Sequence, residues 1–164
     1  MVHFIKTRWP SLILFLALIA IVQLIGAAVT FPNIPTWYAG LQKAPWSPPN
    51  WLFGPVWTVL YFIIAIVGWR FWLGFWGSPK EKLRKPVFKF YFLQLFFNAI
   101  WSPLFFGAHL VELAFIDLLL TIIFTFKTLR EAEKVNPTAG YWLIPYLLWL
   151  CFALSLNGMI WVLN

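Results

Sequence analysis

Residues 37–57 read WYAGLQKAPWSPPNWLFGPVW, with four tryptophans, four prolines and a single charge, Lys43, set between two long apolar runs. Connections between elements ordinarily carry small and polar residues. Here Pro45, Pro48 and Pro49 fix backbone angles and withhold amide donors, so the stretch is stiff. Tyr38, Trp46 and Trp51 add flat apolar area that gains by leaving water. A stiff, apolar connection has two physical uses: a lid over the end of a helical bundle, or an anchor lying on lipid headgroups. Either use implies a membrane.

The rest of the chain supplies one. Its 164 residues are 62% hydrophobic and only 10% charged, against about a quarter charged in soluble domains. Five runs are long enough to supply the ~20 residues that cross a ~30 Å hydrocarbon core: 11–31, 51–69, 88–106, 110–126 and 140–163. The runs lack the alternation of barrel strands, and helices satisfy every backbone polar group internally. The expectation is an all-α integral membrane protein, a five-transmembrane-helix bundle forming one domain over 1–164, with 32–50 as the lid loop. Lys6, Arg8 and Gly26-Ala27-Ala28 also suit a signal peptide, but the first apolar run exceeds the 7–15 residues usual there.

The net charge of +7 does not form a nucleic-acid-binding face, because the basic residues fall in short segments between spans. Lys6, Arg8, Arg70, Lys80, Lys82, Arg84, Lys85, Lys89, Lys127, Arg130 and Lys134 all lie on one side, with Lys43 alone on the other. The positive-inside rule puts the N-terminus in the cytoplasm and the 37–57 stretch outside, most simply in a bacterial cell membrane. Cys151 is the only cysteine, so no intrachain disulfide can form.

Several polar residues sit where hydrocarbon is expected. Asp117 lies about seven residues into its run, roughly 10 Å deep, and should face other helices either as a structural polar group or in ligand or proton handling. Gln94, Asn98 and Ser102 recur every four residues on one face, with Trp101 beside them. Trp142, Tyr146, Trp149, Ala153 and Asn157 form a second stripe; Gly54, Trp57, Tyr61 and Gly68 a third; and Gln23, Gly26, Ala27 and Thr30 a fourth. Close helix packing explains the small residues. Trp9, Trp69, Trp72, Trp76, Trp142 and Trp161 fall near span ends, where an interfacial aromatic belt accounts for them. Trp149 lies roughly 14 Å deep and Trp57 roughly 9 Å, and their indole N–H groups need partners, for which the amides of the third run are candidates. An aromatic-lined cavity with a few polar groups is the common form of a small-molecule site.

These residues carry a resemblance. Trp37-Tyr38, Leu41-Gln42-Lys43, Pro48-Pro49 and Trp57-Thr58-Val59-Leu60-Tyr61 are followed by Phe97-Asn98, Trp101-Ser102-Pro103, Phe105-Phe106-Gly107 and Asp117, then by Pro145-Tyr146-Leu147-Leu148-Trp149, Phe152-Ala153 and Leu156-Asn157. As an ordered set the sequence resembles the TspO/MBR family of tryptophan-rich sensory proteins and translocator (peripheral-type benzodiazepine receptor) proteins. The resemblance implies a homodimeric five-helix receptor, sensor or carrier that binds porphyrins such as protoporphyrin IX and haem, and synthetic isoquinoline carboxamides and benzodiazepines. It implies a pocket at Tyr38, Pro48, Phe53, Trp57, Tyr61, Asn98, Trp101, Ser102, Leu118, Trp149 and Ala153. It also implies an alternative, light-dependent porphyrin breakdown, with Trp57 and Trp149 as the catalytic candidates; a structural or partner-binding membrane protein with a closed core is the further alternative that the residues leave open. Two departures stand out. Ala44 separates Lys43 from Pro45, and no basic residue follows Tyr146, which counts against the sterol motif of mitochondrial members and so against cholesterol. His3 and His109 fall outside the implied pocket, so no metal site and no obligatory cofactor is expected, and porphyrin binding should not depend on iron.

Overall fold

The computed structural model describes residues 8–75 and 84–164, and within them the chain is helical with no strand. In order the elements are α1 (Arg8–Asn33), a short α2 (Trp37–Gly40), α3 (Asn50–Phe75), α4 (Arg84–Ser102), a π-helical turn (Pro103–Gly107), α5 (Val111–Glu133), a short α6 (Pro137–Tyr141) and α7 (Ile144–Leu163). Among the described residues four helical stretches are long and apolar enough to cross a bilayer: Trp9–Asn33, Asn50–Gly74, Arg84–Gly107 and Pro137–Leu163. The helix expected at 110–126 forms as α5, with 23 residues, but it carries Glu112, Asp117 and Lys127 and is not among those four. Lys6, Lys80, Lys82 and Trp76, used in reading orientation and the aromatic belt, lie outside the described residues.

Local chemistry explains where the helices stop. At the end of α1 the orphan carbonyls find side chains: Asn33 Nδ2 donates to Val29 O at 2.8 Å and Thr36 Oγ1 to Pro32 O at 3.0 Å. Pro35 then blocks continuation. Pro55 sits in the second turn of α3 and is accommodated inside that helix. Pro103 cannot donate within α4, and the helix widens there, with Ala108 N–H reaching back five residues to Pro103 O at 2.8 Å. The 140–163 run, expected as one uninterrupted helix, is divided. Pro145 lacks the N–H that would pair with Tyr141, and the chain turns at Trp142–Leu143 between α6 and α7.

The five long helices form a ring with one loose seam. Backbones approach closely between α1 and α3, α1 and α4, α4 and α5, and α5 and α7. The ring closes between α3 and α7 through aromatic side chains: Phe53 meets Trp149 edge-on at 5.9 Å, and Trp57 meets Tyr146 edge-on at 6.3 Å. α6 packs on α5, where the Gly140 backbone comes so close that an added Cβ would lie 3.1 Å from Ala132 Cβ. The half of the bundle away from the 37–57 stretch is solid, built on Ile64, Ala65, Val67, Phe71, Val87, Tyr91 and Leu150, all fully buried. Outward faces are apolar and exposed, as Val59, Phe62, Phe92, Phe96 and Leu148 show. Trp9, Trp142 and Trp161 are exposed near helix ends. Trp69 instead turns inward enough to donate to Ser11 Oγ at 3.2 Å, and Trp72 lies under the Arg84 guanidinium at 4.3 Å.

Gly68 is the tightest of these contacts. A Cβ there would overlap the Tyr91 phenol and come within 2.8 Å of Phe15 Cδ1, while Gly54 on the same helix has open space around it. Gly68→Ala is therefore expected to destabilise by about 1–3 kcal/mol through overpacking, and Gly54→Ala to hold or gain up to about 1 kcal/mol from helix propensity. Thermal unfolding midpoints in detergent, compared for the two variants, check the opposite signs.

Candidate functional site

The loose seam opens into a cavity of about 190 Å³ in the half of the bundle nearest the 37–57 stretch. Each of the four stripes contributes to its wall. From α3 come Phe53, Gly54, Trp57 and Tyr61; from α4, Asn98, Trp101 and Ser102; from α7, Trp149, Ala153, Leu156 and Asn157; from α1, Gln23, Gly26, Ala27 and Thr30. Leu118 of α5 closes the far side, and Tyr38 of α2 enters from the loop. Of the implied pocket residues, Pro48 is the exception and does not reach the wall. Phe105 and Phe106 line it as well. The sequence offered no periodic signal for them, because the π turn at Pro103 rotates them off the α4 register.

A chain of buried hydrogen bonds forms the floor. Tyr61 OH donates to Asn98 Oδ1 at 2.6 Å, Asn98 Nδ2 donates to Tyr146 OH at 2.9 Å, and Tyr146 OH donates to Gln94 Oε1 at 3.1 Å. Three helices are joined by one proton-ordered line, each hydroxyl or amide satisfying the next. A second link ties α4 to α7 and to the start of α5: Trp101 Nε1 donates to Asn157 Oδ1 at 3.2 Å, and Asn157 Nδ2 donates to Val111 O at 3.0 Å. The expectation that α4 amides would serve the deep indoles is thus corrected. Gln94 and Asn98 are engaged with tyrosines, and the Trp149 N–H is buried without a partner. Gln94 Nε2 is also unpaired. Buried donors left free are rare in native interiors, and Trp149 places one in the cavity wall.

Asp117 is buried yet lies outside the cavity wall, with one carboxyl oxygen unpaired. It belongs to a buried row with Thr121, Thr125 and Thr128 on α5, where Thr121 and Thr128 donate back to their own helix at 3.0 and 2.8 Å. His109 also stands outside the wall. It adopts a positive φ of 58° and stacks on Trp37 with centroids 4.1 Å apart. Among the described residues no group of three or more His, Cys, Asp or Glu side chains could hold a metal.

The roof is only partly what the sequence suggested. Tyr38 is buried against Phe105 and Phe106, with Lys43 Nζ 4.6 Å over its ring. Burial pushes the Tyr38 phenol above its ordinary value. Trp46 and Trp51 do not cover the cavity. They are 52% and 72% exposed, because the prolines carry the chain past the rim and leave these rings facing outward in the manner of the anchor alternative.

The floor makes a direct prediction. Tyr146→Phe removes the hydroxyl that both accepts from Asn98 and donates to Gln94, leaving two buried polar atoms unpaired at about 1–3 kcal/mol each. A clearly lowered unfolding midpoint with unchanged helical circular dichroism is the expected result; an unchanged midpoint would show that the line contributes nothing to stability.

Comparison with known proteins joins these observations to a family. The profile of the TspO/MBR family matches residues 14–162. The chain is 40% identical over 147 residues to the tryptophan-rich protein TspO of Archaeoglobus fulgidus, covering 85% of this chain and 87% of that protein. It is 41% identical over 125 residues to the translocator protein of Homo sapiens, covering 76% and 73%. To the tryptophan-rich sensory protein of Cereibacter sphaeroides it is 32% identical over 149 residues, covering 91% and 88%. The family expected from Trp57, Asn98, Trp101 and Trp149 is the one found: this chain belongs to the TspO/MBR family of membrane proteins.

Proposed function

We propose that the protein is a membrane receptor, sensor or carrier for porphyrins and related flat aromatic ligands, held in the cavity between α3, α4 and α7. The observation that carries this reading is the convergence of Trp57, Tyr61, Trp101 and Trp149 from three helices on one space inside the bundle. Their rings offer faces and edges to a planar apolar guest. The free Trp149 N–H offers it one hydrogen bond, and Lys43 stands near the rim, its ammonium over Tyr38 and donating to Leu41 O at 3.1 Å. A porphyrin presents the matching chemistry, an apolar ring with carboxylates at one edge. The cavity is partly open, and its enclosed space of about 190 Å³ is smaller than the ~300–1,000 Å³ usual for drug-sized ligands. A tetrapyrrole is therefore accommodated with spreading of the α3–α7 seam.

In this reading α5 is a fifth crossing, its Asp117 and threonines turned to the bundle and Glu112 and Lys127 near the two interfaces. The protein forms one membrane domain with the basic ends of the helices in the cytoplasm, and pairs as a homodimer in a bacterial membrane. The same cavity accepts synthetic isoquinoline carboxamides and benzodiazepines by the same ring contacts. Haem binds as protoporphyrin does, without an axial protein ligand.

Titration of the purified protein with protoporphyrin IX, followed by tryptophan fluorescence, tests the proposal. Saturable quenching is expected, and Ala153→Phe, which fills the cavity without touching the hydrogen-bonded floor, should weaken binding about tenfold or more. Trp149→Ala combined with Asn98→Ala should do the same while helical content holds. Equal affinity in all three proteins would move the ligand elsewhere. Loss of bound-porphyrin absorbance in light and oxygen that stops in Trp57→Phe and Trp149→Phe would assign breakdown instead of carriage.

A further inference from the structure

At the end of the bundle away from the 37–57 stretch, two cations from different helices meet at one ring. Lys89 Nζ of α4 lies 5.8 Å from the Phe90 ring centroid, and Lys127 Nζ of α5 lies 5.3 Å from the same centroid. Lys127 also stands 5.9 Å from the Phe124 centroid. Both lysines are exposed. Each is set back from its helix end, Lys89 from the start of α4 and Lys127 from the end of α5, by roughly 7–9 Å at 1.5 Å per residue.

Snorkelling accounts for a single lysine at such a depth. Two that converge are a different matter, because like charges brought together repel unless a counter-charge joins them. Among the described residues the chain supplies none. Arg130 pairs with Glu133 at 3.0 Å, and both oxygens of Glu131, one turn from Lys127, accept from Lys134 at 2.8 Å. Glu112 and Asp117 sit toward the opposite end of α5. Lys85, one turn before Lys89, is exposed and adds a third cation to that face. An apolar wall continues from the lysines along the two helices. Phe90 and Phe124 stand nearly parallel with centroids 6.2 Å apart, and Phe124 and Phe97 likewise at 5.5 Å. All three rings are half-buried, so each keeps part of its surface open.

We propose that this α4–α5 face binds one acidic phospholipid, its phosphate shared by Lys89 and Lys127 and an acyl chain laid along Phe90, Phe124 and Phe97. A lysine ammonium meets phosphate as a point charge on a flexible stem, so two stems reach one headgroup without moving the backbone. A zwitterionic lipid carries its own cation and compensates the pair less. A second copy of the chain, placed here by a two-fold axis, brings the same lysines instead of a counter-charge. None of these five residues lines the cavity. The inference rests on reading α5 as a fifth crossing and is independent of what the cavity holds.

Native mass spectrometry of the whole chain in detergent, with phosphatidylglycerol and phosphatidylcholine supplied equally, tests the site. Wild type is expected to retain one phosphatidylglycerol in preference to phosphatidylcholine. Lys89→Gln and Lys127→Gln should each weaken that adduct about fivefold, and together about 25-fold, matching the ~1 kcal/mol that one lysine gains near anionic lipid. Phe124→Ala should weaken it with the charge unchanged. The Lys89→Arg, Lys127→Arg pair should retain it, as should Arg70→Gln, which removes an exposed cation from the same end of α3. No preference in the wild type, or an equal loss in Arg70→Gln, overturns the site in favour of diffuse surface charge. Displacement by inorganic phosphate at equal concentration overturns a lipid as its occupant. In vesicles, and in a Cys151→Ser background, Ile123→Cys should be shielded from an aqueous maleimide. A reactive thiol there removes the fifth crossing itself, whereas a shielded thiol without lipid preference removes the site alone.

Discussion

Hydrocarbon offers no hydrogen bonds, so every polar group that a helix carries into it must be answered by another part of the same chain. That constraint organises this protein. The line from Tyr61 through Asn98 and Tyr146 to Gln94, and the link from Trp101 through Asn157 to Val111, join helices that lipid alone would not press together. Between helices in lipid there is no hydrophobic driving force, so close packing at Gly68 and directed polar bonds set which helix faces which.

The cavity follows from where that packing stops. In the half away from the 37–57 stretch, Tyr91 and Phe71 fill the interior and Tyr91 OH donates to Ile64 O at 2.9 Å. In the half nearest that stretch, α3 and α7 hold each other at the distance of edge-on aromatic pairs. Indoles and phenyl rings span a gap that aliphatic side chains would close, and they leave a flat-walled space behind. Trp149 marks the same point energetically: its N–H is a buried polar group on this wall without a partner.

Much of this was legible in the one-dimensional pattern. The four stripes are periodic at helical spacing, and each contributes residues to the cavity wall, Gln23 to Thr30 on α1 as well as Trp57 and Tyr61 on α3, whereas Trp142 faces outward. Pro48 belongs to the same loop motif and misses the wall, because a proline-rich loop has no period from which to read a facing side. Trp46 and Trp51 were legible as apolar but not as outward-facing, for the same reason. The turn at Trp142–Leu143 was foreshadowed by Pro145, whose position next to a long apolar run concealed its effect.

By itself the sequence determined the solvent, the helical class, the approximate reach of each helix and the residues that share a face, since all of these depend on local composition and on a period of 3.6 residues. Tertiary structure alone decided the seam between α3 and α7, the partners of Asn98 and Asn157, and the inward placement of Phe105 and Phe106. Those features depend on how helices far apart in the chain approach one another, and no pattern within a single segment encodes a distance between two.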